Sequence, residues 1–164
     1  MYTLIKFYFH FVAYMKMTLY RIGYRKKVRF GKNVTFRKCF SLAPMNDGII
    51  NIGDNVFFNH YCSVYALNKI EIGDGTIFGE NVKIYDHNHV YADKQIPIKH
   101  QGYVSAPISI GKHCWIGSNV TILKGVTIGD NCVIGAGCVI YKDVSSNSIV
   151  INRQNLQYKT MNLK

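Results

Sequence analysis

Acidic side chains are missing from the first 46 residues of this 164-residue chain; the first is Asp47. Residues 1–38 hold ten Lys/Arg, whereas the rest of the chain sets ten Lys/Arg against nine Asp/Glu. The net charge of +11 therefore belongs to an N-terminal arm, and an argument for an anionic partner concerns that arm alone. Long apolar runs are missing too. Lys6, His10 and Lys16 interrupt MYTLIKFYFHFVAYMKMTLYRI, so no stretch reaches the roughly 18–20 residues needed to cross a bilayer. No small-residue cleavage site follows, which argues against a secretory signal. The five cysteines (Cys39, Cys62, Cys114, Cys132, Cys138) show no C-x-x-C spacing. They read as small core hydrophobes in a reducing, cytoplasmic compartment rather than as disulfides or metal ligands.

What is present is a period of six. From Ile110 an aliphatic residue recurs at Ile116, Ile122, Ile128, Ile134 and Ile140. Glycine follows at Gly111, Gly117, Gly129 and Gly135, and Val or Cys stands four places after each aliphatic residue. Neither a helix (3.6) nor a simple strand (2) has that period. Six residues make one short strand plus a turn, and three such units close a triangular coil. Stacked coils make a parallel β-helix with the aliphatic residue inside. The glycine is expected to supply turn backbone angles that a side chain resists.

The comb extends N-terminally through Phe30, Phe36 and Leu42, then Ile52, Phe58 and Val64, then Ile72, Phe78 and Ile84. It slips over Pro44–Gly48 and by two residues near Asn68 and Lys69, which read as corner bulges. It then stops for 26 positions, from Ile84 to Ile110. Residues 85–107 are therefore one extruded loop, carrying His87, His89 and His100. Such insertions often build the site of a repeat protein. The chain thus divides into an amphipathic basic arm (1–27), a β-helix domain (28–151) and a polar tail (152–164). At 100° per residue, Leu4, Phe7, Tyr8, Phe11, Val12, Met15, Leu19 and Ile22 share one face of the arm helix. That face suits either an anionic membrane surface or packing on the β-helix or a neighbouring subunit. On the membrane reading, residues 1–27 can be deleted without loss of folding.

The hexads, the loop beginning IYDHNH and the string APISIGKHCWIGSNVTILKGVTIG resemble the left-handed parallel β-helix acyltransferases over roughly residues 50–145. The branch most similar contains maltose and galactoside O-acetyltransferases and capsule, O-antigen and exopolysaccharide acetyltransferases. The resemblance implies a left-handed coil, a homotrimer with sites in the clefts between subunits, acetyl-CoA as donor and no metal. It implies a loop histidine as general base, accepting the proton of a sugar hydroxyl as that hydroxyl attacks the thioester. His87 and His89 compete for the role, and the ungapped register favours His89. The same register implies acceptor binding at Asn59, with Asp86 and Trp115 beside it. It implies a cofactor path past Trp115, Ser118, Ala136 and Lys142, with Arg153 near the phosphates. Trp115, one place before the core-facing Ile116, is expected to point outward.

Two positions depart from the family's pattern. Its second acceptor-binding acid falls on Leu67, so a maltose-like or galactoside-like acceptor does not follow. Its G-[NV]-P-A-[KR] segment is replaced by Ile151-Asn152-Arg153-Gln154-Asn155. The function expected is acetyl transfer from acetyl-CoA to a hydroxyl of a sugar or glycan intermediate, in the cytoplasm or at the inner face of the membrane. The alternatives are N-acetylation of an amino sugar, acetylation of a small xenobiotic, a non-catalytic scaffold, and a zinc carbonic anhydrase. The last would need three converging imidazoles. A nucleic-acid binder is disfavoured because the arm's aromatics lie on a helix face rather than along a groove.

Overall fold

The computed structural model describes residues 2–154 and 157. It is a parallel β-helix of five coils and the start of a sixth, with one helix, α1 (Tyr2–Tyr24), across its N-terminal end. The chain visits three sheets in rotation, of five, six and five strands, which form three faces of a prism. The parallel register follows the hexads. Phe30, Ile52, Ile72, Ile110 and Ile128 stack on the first face. Phe36, Phe58, Phe78, Ile116, Ile134 and Val150 stack on the second. Leu42, Val64, Ile84, Ile122 and Ile140 stack on the third. Nearly all are buried, and the column of rings Phe36, Phe40, Phe58 and Phe78 runs with centroids 4.5–4.8 Å apart. Cys62, Cys114, Cys132 and Cys138 are buried in the core beside them, and burial pushes the Cys62 thiol up to about 11. Residues 155, 156 and 158–164 of the expected polar tail lie outside the described residues.

The glycines serve a different purpose from the one expected. Those after the core aliphatic residues do not have positive φ. A Cβ on Gly73, Gly117 or Gly111 would stand 2.4–2.8 Å from atoms of the next coil, so glycine is there because stacked coils approach too closely for a side chain. The left-handed turn angle falls two residues later, mostly on asparagine: Asn33, Asn55, Asn81, Asn119, Asn131 and Asn147. Asparagine tolerates that region because its short amide bonds locally. Here the amides also bond from coil to coil, Asn81 to Asn119 at 2.8 Å and Asn33 to Asn55 at 3.1 Å.

All departures from six-residue spacing sit at one corner, between the third and first faces. There ten residues separate Leu42 from Ile52, eight separate Val64 from Ile72, and 26 separate Ile84 from Ile110, against six from Ile122 to Ile128. The extruded segment therefore leaves from a corner already widened in the two preceding coils.

α1 corrects the expected burial of the arm. Its inward stripe is Ala13, Met17, Tyr20 and Tyr24, at helical spacing, closing the open end of the core. Tyr20 packs on Phe30 and Phe40 with centroids 6.3 and 6.5 Å apart, and Lys16 Nζ donates to the Phe40 carbonyl at 2.6 Å. The face expected to be the apolar contact surface, from Leu4 to Ile22, is the one left exposed. Removing residues 1–27 would uncover Phe40, so the structure bears out the packing reading of the arm and leaves its outer face for a second contact.

Candidate active site

The extruded segment is a β-hairpin at its root, not an irregular loop. His87–His89 pairs antiparallel with Tyr103–Ser105, His87 opposite Ser105 and His89 opposite Tyr103. Side chains two apart leave a strand on the same side, so the two imidazoles flank one aromatic ring. The Tyr103 centroid is 5.5 Å from the His87 ring, edge-on, and 4.4 Å from the His89 ring. A depression of about 570 Å³ opens beside them, lined by Tyr85, His87, Asn88, His89, Tyr91 and Ile98. His89 is exposed, while the His87 side chain retains 13% of its surface.

Asp86 roots this hairpin. It is fully buried, and its carboxylate accepts the backbone N–H of Leu67 at 2.8 Å and of Asn68 at 2.7 Å. Those two residues are the bulge of the preceding coil. The same carboxylate lies 3.0 Å from His87 Nδ1. With Nδ1–H donated to it, His87 presents the Nε2 lone pair away from the protein interior. Asp86 was expected to bind the acceptor. Its burial and its three engagements exclude direct contact, and it reaches the site only through His87.

The remaining expected residues lie at another corner. In the register of the second face, Asn59, Gly79, Gly117 and Gly135 follow the core residues Phe58, Phe78, Ile116 and Ile134, and Ser118 and Ala136 come one place later. They form a column along the corner between the second and third faces. Trp115 points outward as expected, 55% exposed, on the strand that leads into this column. Ser118, the exposed Ala136 and the exposed Trp115 stand along this corner, while the glycine positions between them are closely approached by the next coil. Ser118 Oγ is already engaged by the Glu80 N–H at 3.1 Å, and Asn59 Oδ1 accepts the His60 N–H at 2.9 Å. Arg153 is exposed beyond the last coil. Lys142 lies elsewhere, exposed at the third-to-first corner below the hairpin, its Nζ 5.7 Å from the Tyr141 ring. One chain thus gathers the histidines, Asp86 and Lys142 at one corner and the rest of the expected site at another, a whole face apart.

Sequence reasoning missed Tyr103 and the Leu67–Asn68 contact, since both depend on chain segments that only the fold brings together. Among the described residues no group of three His, Cys, Asp or Glu side chains is arranged to hold a metal ion. His100 stands in a 3-10 turn (Ile98–His100) and does not line the depression.

Comparison with known proteins agrees with this geometry. Residues 107–142 match the model for the hexapeptide repeat of succinyl-transferase. Over 130 residues the chain is 31% identical to WbbJ of Escherichia coli K12, whose name ties it to O-acetyl transfer in lipopolysaccharide biosynthesis; the match covers 75% of this chain and 66% of that one. The fold superposes on a maltose O-acetyltransferase from Clostridium difficile 630 with a TM-score of 0.62 and 36% identity, covering 73% of this chain and 64% of that one. It also superposes on a hexapeptide-repeat acetyltransferase of Vibrio cholerae in complex with acetyl coenzyme A, with a TM-score of 0.68 and 28% identity, covering 82% and 70%. The chain spans just under two thirds of the length of the first two. Its repeats, its coil register and these relatives together place it in the hexapeptide-repeat acetyltransferase family.

Proposed function

We propose that the protein transfers acetyl from acetyl-CoA to a hydroxyl of a sugar or glycan intermediate, directly and without a metal. The reading is carried by two imidazoles on a hairpin rooted by a buried carboxylate, beside a depression open to solvent. His89, exposed at that depression, takes the proton of the acceptor hydroxyl as its oxygen attacks the thioester carbonyl. The C–O bond forms, the C–S bond breaks, and the imidazolium returns the proton to the departing thiolate. No cysteine serves as a covalent relay, because four are buried in the core and Cys39 is in a distant turn. His87 is the second candidate for the base, favoured by the carboxylate that fixes its tautomer.

The separation of the two corners supports a homotrimer as the working unit. In such an assembly the histidine corner of one subunit faces the Trp115–Ser118–Ala136 corner of the next, and the cleft between them is complete. Acetyl-CoA is held along the second corner, with Lys142 and Arg153 available to its phosphates. Names that tie relatives to lipopolysaccharide and to maltose support a carbohydrate acceptor, and a cytoplasmic site of action follows from the donor.

The test is thiol release from acetyl-CoA with a panel of sugars and nucleotide sugars, for wild type, His89→Ala and His87→Ala. Loss of roughly 100-fold or more at His89 alone, the scale for removing a general base, is the expected result. A crippling His87→Ala with an active His89→Ala would transfer the role to His87. No binding of acetyl-CoA to the wild type would overturn the reading.

A further inference from the structure

α1 has two apolar faces, and only one is used inside the chain. Opposite the Ala13–Met17–Tyr20 stripe, Leu4, Phe7, Phe11, Met15, Leu19 and Ile22 are each at least half exposed. At 100° per residue they fall within a sector that contains no charged residue over the length of the helix. The helix has 23 residues, about 34 Å at 1.5 Å per residue. Because α1 closes the end of the prism, this outer face is largely turned away from the coils, with Phe7 and Phe11 at its edge beside the first coil. At its C-terminal end the chain continues directly into the exposed basic turn Arg25–Lys27. Lys27 contacts the Asn46 carbonyl and lies 4.0 Å from Asp47, while Arg25 and Lys26 make no ion pair among the described residues.

We propose that the outer face of α1, with the Arg25–Lys27 turn, is a docking surface for an anionic phospholipid bilayer. Charge selects this occupant over a second copy of the chain. α1 has no acidic residue, and neither does the turn, so a helix–helix contact between two copies would bring two cationic arms together with nothing to neutralise them. A lipid surface supplies both an apolar layer for the large side chains and negative headgroups for the turn. The helix lies on the surface rather than crossing it: no described helix is long and apolar enough to span a membrane. A groove of about 850 Å³ between α1 and the first coil, walled by Phe7, Phe11 and Met17 and rimmed by Arg21 and Lys32, with Asp54 also at its edge, gives a headgroup or acyl chain room beside the helix. If the proposed trimer has its three-fold axis along the coils, three cap helices share one end of the assembly and engage one membrane together. That last step rests on the trimer; the docking of a single chain does not.

The test is co-sedimentation of the full-length protein with vesicles of phosphatidylcholine containing one third phosphatidylglycerol, and with pure phosphatidylcholine vesicles. The wild type is expected to partition onto the anionic vesicles, and less so in high salt. Phe11→Glu/Leu19→Glu is expected to lower that partitioning at least roughly tenfold, with Arg25→Glu/Lys26→Glu weakening it in the same direction. Thiol release on a soluble acceptor reports the catalytic reading separately, since none of these residues lines the histidine depression or stands on the Trp115–Ser118–Ala136 column. Failure of the wild type to sediment with anionic vesicles would overturn the proposal. So would a fall in solution mass of Phe11→Glu/Leu19→Glu with unchanged vesicle binding, which would assign the face to a second copy.

Discussion

The Asp86 carboxylate stands 3.0 Å from His87 Nδ1 while accepting two backbone N–H groups from the coil before it. One buried side chain therefore joins the scaffold to the hairpin and sets the orientation of an imidazole in the depression. A buried acceptor with three partners is fully satisfied, but each partner depends on it in turn.

Asp86→Ala is expected to leave the Leu67 and Asn68 amides without a partner, costing about 1–3 kcal/mol, and to release His87. Thermal unfolding should show the loss of stability, and thiol release should fall along with it. A variant as stable and as active as the wild type would show that the carboxylate roots nothing.

Phe58 is fully buried between the rings of Phe40 and Phe78. Phe58→Ala opens a cavity in the middle of the column and should cost about 3–5 kcal/mol. Denaturant unfolding measures it. Because coils are held by their neighbours, the early coils are expected to lose amide protection first.

The two kinds of corner residue differ in how much an exchange costs. Gly117→Ala places a Cβ 2.7 Å from the Ala136 nitrogen and 2.8 Å from the Ile134 oxygen, so overpacking should destabilise by about 1–3 kcal/mol. Asn119 has φ +59, and Asn119→Gly keeps the turn accessible, losing little beyond the Asn81 hydrogen bond. Melting temperatures of the two variants should separate clearly.

Acid should loosen the first-to-second corner. The Asp54 backbone N–H, followed by Lys112, holds the Asp74 carboxyl below its ordinary value. A carboxylate depressed on folding contributes stability that is full above its unfolded pKa and is lost as pH falls through the lower folded value. Stability should therefore drop below about pH 4, and the drop should shrink in Asp74→Asn. An unchanged acid limb in that variant would remove Asp74 from the account. Asp74 is on the surface, so the effect should be modest and should weaken in salt.

The sequence by itself determined the prism. A period of six is local, and each aliphatic tooth meets the one a coil away in whatever order the coils stack, so Ile110, Ile116 and Ile122 announced three faces before any contact was known. The widened corner was legible for the same reason, since a break in a period is itself a signal, and so was the outward aim of Trp115. The tertiary structure decided what depends on residues far apart in the chain. It chose Ala13 and Met17 rather than Phe11 and Leu19 as the inner face of α1, because both faces of that helix are apolar and only the shape of the coil end distinguishes them. It put Asp86 under the hairpin instead of before the acceptor, because the Leu67–Asn68 amides that claim it arrive from another coil. It also split the expected site between two corners, since Asn59, Ser118 and Ala136 follow the second face whereas His87 and His89 follow the third.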